Sequence, residues 1–190
     1  MSQDLSTTSY ALLGLLVFDG PSSKDGLTGY ELKRRADNTL RFYWVAPAMS
    51  QVYTELNRLA RLELVTASLD QAGRRATHRY RISARGSAEL ERWLVNSEPE
   101  FPVLKHPVAL RLLMGGLVGP ERVRELLDTY LDQLAERNES LLAVRASLGD
   151  IDALKYPAMV ADWGLSYYDS EASMVRQLRN RLPTSGPGAG

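Results

Sequence analysis

Pro47-Ala48-Met49-Ser50-Gln51-Val52-Tyr53-Thr54-Glu55-Leu56-Asn57-Arg58-Leu59-Ala60-Arg61-Leu62 is the stretch that decides how this chain folds. Within it Val52, Leu56, Leu59 and Leu62 recur at spacings of four, three and three, which aligns them along one side of an α-helix and predicts a buried apolar stripe. The other side carries Ser50, Gln51, Thr54, Asn57, Arg58 and Arg61. These are hydrogen-bonding side chains of the kind that read base edges and hold phosphates. The flanks agree with a recognition helix. Upstream, Thr28 and Glu31 stand in the S/T-x-x-E spacing of a capping box, predicting a helix start, and Lys33, Arg34 and Arg35 follow on a helix suited to crossing a phosphate backbone. Downstream, Val65-Thr66-Ala67-Ser68-Leu69 and Ala76-Thr77-His78-Arg79-Tyr80-Arg81-Ile82 flank the turn Asp70-Gln71-Ala72-Gly73, the pattern of a β-hairpin. Helix, turn, helix and hairpin in unbroken order from Gly29 to Gly86 read as a winged helix-turn-helix.

The charge distribution supports that reading although the whole chain of 190 residues is formally neutral. From Tyr30 to Arg85 there are eleven basic residues against five acidic ones, a local charge of +6, whereas Asn96 to Gly190 carries ten against thirteen, a charge of −3. A basic module followed by an acidic one points to phosphate binding by the first. With no cysteine anywhere, disulfides, thiol nucleophiles and cysteine-ligated zinc are excluded. His78 and His106 are the only histidines, lie in different modules and have no carboxylate spacing of a metal or acid-base site. No catalytic residue, metal site or cofactor is therefore assigned. The longest apolar run, Tyr10 to Phe18, is far shorter than the roughly 18 to 20 residues of a membrane span, and Met1 to Ser9 lacks the basic start of a signal peptide. A cytoplasmic protein without a membrane partner is the expectation.

Outward from the winged module, Thr7 or Thr8 is expected to cap a core helix running through Val17, also a candidate dimer contact. Gly20 to Gly26 is a breaker-rich loop. In the aromatic cluster Phe42-Tyr43-Trp44, one or two rings are expected to pack under the recognition helix rather than stack on bases. Asn96 to Pro102 reads as a linker. A short helix follows Pro107. Pro120 opens a long helix in which Val123, Leu127, Tyr130, Leu134, Leu141, Val144 and Leu148 keep a heptad seam broken at Arg137. A last helix begins near Asp152 or Pro157 and places Val160, Trp163, Tyr167, Met174 and Leu178 on one face. The domain organisation expected is residues 1–95 as a winged helix-turn-helix, 96–182 as a helical dimerisation and effector domain, and 183–190 as a disordered tail. The fold class is mainly α with a small β-hairpin wing.

The chain resembles the PadR family of bacterial transcriptional regulators, in the branch with a long helical C-terminal domain. The resemblance is carried by Ala11-Leu12-Leu13-Gly14-Leu15-Leu16, by Gly29-Tyr30-Glu31-Leu32, by Trp44 through Val65 and by Tyr80-Arg81-Ile82-Ser83-Ala84-Arg85-Gly86 with Trp93-Leu94. Beyond the wing it extends to Leu104-Lys105-His106-Pro107, Leu110 to Leu117 and Trp163-Gly164-Leu165-Ser166-Tyr167-Tyr168. It implies a homodimeric repressor or activator of an inverted-repeat site on double-stranded DNA, often controlled by a small aromatic or hydrophobic effector. Three departures stand out. Glu63 occupies the position after the recognition helix where such proteins commonly have glycine, Thr54 and Asn57 replace frequent basic residues, and the loop at Ser22 to Gly26 is longer than is typical.

The residues expected to contact DNA are Tyr30, Lys33 and Arg34 on the first helix, Ser50, Gln51, Tyr53, Thr54, Asn57 and Arg58 on the second, and Arg74, Arg75 and Arg79 on the wing. The wing tip is alternatively an ordinary solvated turn. Two long helices with one apolar stripe each predict packing against a second copy through Leu127, Tyr130, Leu134, Leu141, Val160, Trp163, Tyr167 and Met174, which would set two recognition helices about 34 Å apart. Trp163, Tyr167 and Tyr168 are also candidates to line an effector pocket, plain dimer core being the alternative. The competing functional readings are a winged-helix protein-interaction adaptor and a small-molecule sensor that does not bind DNA.

Overall fold

The structure is a computed structural model and describes residues 5–17, 26–42, 44–70, 77–102 and 105–183. The chain divides into two compact units, Met1–Glu100 and Phe101–Gly190. Among the described residues no helix is long and apolar enough to cross a membrane.

The first unit comprises α1 (Thr7–Val17), β1 (Leu27–Thr28), α2 (Gly29–Thr39), a 3₁₀ turn (Leu40–Phe42), α3 (Met49–Arg61), β2 (Val65–Asp70), β3 (Thr77–Ile82) and α4 (Ala84–Asn96). Its core is one cluster. Leu12 and Leu13 of α1, Leu32 of α2 and Val52, Leu56 and Leu59 of α3 are wholly buried in it. Each large side chain so buried stabilises the unit by about 1.5–3 kcal/mol relative to exposure. The stripe predicted for the recognition helix is thus the stripe that the fold buries, with Leu62 half-buried just past the helix end. α1 is capped one residue earlier than expected, because Ser6 Oγ accepts the Ser9 N–H at 3.1 Å. Near its start α1 is tied to α4: Tyr10 stacks on Trp93 at 4.5 Å between ring centroids and donates its hydroxyl to Glu89 Oε1 at 2.8 Å.

The wing is the expected hairpin with an addition. β2 and β3 pair antiparallel from Val65 opposite Ile82 to Asp70 opposite Thr77, and β1 adds a third strand, Leu27 facing Tyr80 and Thr28 facing Arg79. Two residues are too few to show an alternating pattern, so β1 is not legible in the sequence. The loop expected at Gly20 to Gly26 lies outside the described residues except Gly26. Of the aromatic cluster, Phe42 is buried, Trp44 is about half exposed and Tyr43 lies outside the described residues. Arg41 places its guanidinium 4.7 Å from the Phe42 ring centroid, a cation-π contact.

The end of α3 answers the Glu63 departure. Glu63 is left-handed at φ 58°, the only described non-glycine residue with positive φ. The Glu63 N–H donates to Ala60 O at 3.0 Å and the Leu64 N–H to Leu59 O at 2.9 Å, the two bonds of a Schellman motif. Leu59 and Leu64 are both buried in the core, so the motif is complete without glycine. The unfavourable backbone remains, at a cost of about 1–2 kcal/mol. Close packing behind the motif does demand glycine at position 86: a Cβ there would lie 2.0 Å from Leu64 O.

The second unit contains α5 (Pro107–Leu113), a 3₁₀ turn (Gly115–Leu117), α6 (Pro120–Leu148), a 3₁₀ turn (Asp152–Leu154) and α7 (Lys155–Asn180). Pro107 and Pro120 sit in first turns, where a missing N–H costs nothing. α6 and α7 form an antiparallel pair stitched along its length. Arg145 Nε donates to Asp162 Oδ1 at 2.8 Å, Asn138 Nδ2 to Asp169 Oδ1 at 2.9 Å, Arg179 pairs with Asp128, and Arg124 donates to Leu182 O at 3.1 Å. Leu127, Leu134 and Leu141 are buried within the chain, together with Ala158, Ala161, Tyr168 and Val175 of α7. This changes the expectation for the heptad seam. Those three leucines are already covered, because α7 folds back on α6, and they are not available to a second copy in this structure; Tyr130 and Val160 are half-buried. Of the tail expected at 183–190, residues 184–190 lie outside the described residues.

Candidate nucleic-acid interface

The capping box predicted at α2 is present in full. Glu31 N–H donates to Thr28 Oγ1 at 3.2 Å, and Thr28 N–H donates to Glu31 Oε2 at 2.8 Å. That backbone bond is the main reason the Glu31 carboxyl is held below its usual range, and the nearby Arg79 adds to it. Arg79, expected to contact DNA, has partners within the chain: its Nη1 donates to Gly26 O at 2.9 Å and lies 3.4 Å from Glu31 Oε2, tying the wing to the start of α2.

Beyond the shared core, α3 comes close to α2 at Gly29. A Cβ on Gly29 would stand 2.5 Å from the Tyr53 ring, so only glycine lets that ring lie over the first residue of α2. Tyr30 (61% exposed) and Tyr53 (44%) consequently both present aromatic surface at the adjoining starts of the two helices. Further along α2, Arg34 is exposed and Lys33 is paired with Asp37.

On α3 the sequence places Ser50, Gln51, Thr54 and Asn57 outward, and all four are exposed. Gln51 Oε1 accepts the Ala48 N–H at 2.9 Å, the half of a capping box that the third helical position supplies, while Ala48 has no side-chain oxygen to accept from the helix in return. Thr54 Oγ1 donates to Ser50 O at 2.9 Å. Arg58 is half-buried and lies 3.7 Å from Glu55. Glu55, the single acid in α3, turns inward: its Oε2 accepts from Ser9 Oγ at 2.5 Å. The exposed face of α3 therefore presents neutral polar and basic groups. Arg74 and Arg75 lie outside the described residues, as does the wing tip they belong to.

Sequence reasoning missed one polar cluster, in the second unit. His106 Nδ1 accepts the Ala109 N–H at 3.1 Å and so caps α5, while Nε2 is 2.8 Å from Glu171 Oε1 and 3.1 Å from the Tyr130 hydroxyl. With Nδ1 accepting, the ring N–H is at Nε2 and donates to the carboxylate. Burial, with the Glu171 charge, pushes the Tyr130 phenol far up. Tyr130 lies 24 positions from His106 and 41 from Glu171 along the chain, so no local spacing announced the cluster. Tyr130, expected at a dimer contact, is half-buried in this cluster. Trp163 is 75% exposed, Tyr167 about half exposed and Tyr168 buried, with the two tyrosine rings edge-on at 5.9 Å.

A winged helix-turn-helix joined to a long antiparallel helix pair defines the class to which this chain's architecture belongs. Within that class the architecture is PadR-like, as the sequence resemblance implied. The structure is similar to Bacillus subtilis PadR in complex with operator DNA (20% identity, TM-score 0.77, covering 94% of this chain and 100% of that one). The same protein has been solved in complex with p-coumaric acid (20% identity, TM-score 0.70, covering 92% of this chain and 97% of that one). Likeness extends to the PadR-like transcriptional regulator BC1756 from Bacillus cereus (14%, TM-score 0.76, 96% and 99% covered) and to the Vibrio cholerae virulence activator AphA (17%, TM-score 0.68, 92% and 96% covered). Residues 104–182 match the family described as Virulence activator alpha C-term. No curated protein sequence matches.

Proposed function

We propose that this chain is a sequence-specific DNA-binding transcriptional regulator, a homodimeric repressor of an inverted-repeat operator. The observation that carries the reading is the outward face of α3, where Ser50, Gln51, Thr54 and Asn57 are exposed beside Tyr30 and Tyr53 while the helix's one acid is turned away. Such a face offers base-reading groups without an exposed like charge to repel phosphates. Residues 1–95 would bind DNA and 96–182 would dimerise. For dimerisation the support is the outer face of α7, where Tyr156, Met159, Trp163, Tyr167 and Met174 recur at helical spacing and stay exposed, an apolar stripe of the sort that marks an interaction surface. Trp163 and Tyr167 would also offer ring faces to a small aromatic effector at that interface. The solved PadR complex with p-coumaric acid makes that compound the first ligand to titrate, with tryptophan fluorescence as the readout.

The decisive experiment compares DNA from upstream of the chain's own gene with unrelated DNA of equal length across a salt series. Preference for the upstream fragment with a steep salt slope supports the regulator. Arg74→Ala with Arg75→Ala should then flatten the slope by about 0.9 for each phosphate no longer neutralised. Equal, weak binding to both fragments, followed by failure to enrich any sequence from random DNA, would turn the reading toward a protein-interaction adaptor.

A further inference from the structure

Glu55 stands on the border between the buried stripe of α3 and its outward face. An acid on a helix that approaches phosphates ordinarily weakens binding. Here a single carboxylate oxygen, Oε2, is engaged from two sides, by Ser9 Oγ at 2.5 Å and by Arg58 Nη1 at 3.7 Å. Ser9 is wholly buried. Its hydroxyl also lies 2.9 Å from Ser6 Oγ, and its N–H donates to that same oxygen at 3.1 Å. The carboxylate thus meets the first turn of α1, where unpaired N–H groups concentrate partial positive charge that favours an anion. The Ser9 to Glu55 bond therefore ties the side of α3 to the start of α1. Arg58, three residues on from Glu55, is drawn to the same oxygen.

We infer that Ser9 and Glu55 are positioning residues for DNA recognition: Ser9 locks the carboxylate, and the carboxylate aims the Arg58 guanidinium at a phosphate while holding Ser50, Thr54 and Asn57 in register with base edges. This inference rests on the DNA-binding reading above. It makes an acidic residue favourable to binding, against the ordinary sign of its charge.

The test uses the full chain and two fluorescent duplexes of equal length, one enriched by the natural protein from a random library and one of mixed sequence. Glu55→Gln keeps an acceptor oxygen for Ser9 and nearly the same shape but removes the charge that holds Arg58. The expected result is binding about tenfold weaker to the enriched duplex, with binding to the mixed duplex unchanged or tighter. Ser9→Ala should lower the same preference, with its thermal melt and its mixed-duplex affinity confirming that the protein is folded; should it unfold, Glu55→Gln decides. In a double-mutant cycle, Glu55→Gln added to Arg58→Met should cause no further loss beyond Arg58→Met alone. Equal tightening on both duplexes by Glu55→Gln, or additive losses in the cycle, would overturn the inference and leave the regulator standing. Failure of the natural protein to enrich any duplex would remove the DNA-binding reading and this inference with it.

Discussion

The two units bury their apolar residues on different plans. In the first, α1, α2, α3, α4 and the sheet contribute to one cluster, and the faces left over on α2 and α3 are polar apart from the rings of Tyr30 and Tyr53. In the second, α6 and α7 share a single row of buried residues, and α7 keeps a second apolar face exposed from Tyr156 to Met174. A unit that closes its own core has its surface free for a polar ligand, whereas a helix pair with apolar residues on two sides has the composition of an interface. What stabilises each unit should accordingly respond to different changes.

The largest effect should come from Leu56→Ala, which empties a wholly buried site in the first unit and should cost about 2–5 kcal/mol of its stability in thermal or urea melts. Met174→Ala on the exposed face of α7 is the matched control. It should leave the melt of dilute, unassociated protein unchanged and act only on association. If both substitutions destabilise equally, the contrast between the units fails.

Next in size is a charged break in the α7 face. Trp163→Asp with Tyr167→Asp should retain helical circular dichroism yet shift the protein to monomer in sedimentation. Loss of two-site engagement should then weaken binding to an inverted repeat by about 100-fold or more while half-site binding changes little. A dimer that survives this change would relocate the interface away from α7.

A smaller effect concerns pH. The Glu31 carboxyl is held low in the folded state, chiefly by the Thr28 N–H. A lowered folded pKa contributes stability that is present above the unfolded carboxylate range and is lost as pH falls through the folded value. Melts of the natural protein should therefore fall off below about pH 4.5, and Glu31→Gln should show a shallower fall over that range. Identical acid limbs would mean that the capping box does not survive in solution.

Smallest is Glu63→Gly, which relieves the left-handed backbone at φ 58° and should raise stability by about 0.5–1 kcal/mol. The exposed pair with Arg85 at 3.1 Å is too solvated to offset this. The gain should appear in the first unit's transition alone.

Local pattern alone determined the helix-turn-helix, the hairpin, the capping box at Thr28, the buried stripe of α3 and the two long helices. Each of these is encoded in residues within a turn or a strand of one another, where periodicity and capping chemistry act directly on the backbone. Pairings across long separations were decided only by tertiary structure. β1 exists because Leu27 and Thr28 find Tyr80 and Arg79; Arg79 ties the wing to Gly26 and Glu31; and Glu55 turns inward because Ser9 is there to meet it. The same holds for His106, Tyr130 and Glu171, and for the heptad seam of α6, whose leucines signalled a partner helix but not which one. Periodicity shows that a face must be covered; which element covers it depends on chain reversal between helices, and α7 of the same chain took the place that the pattern had left open for a second copy.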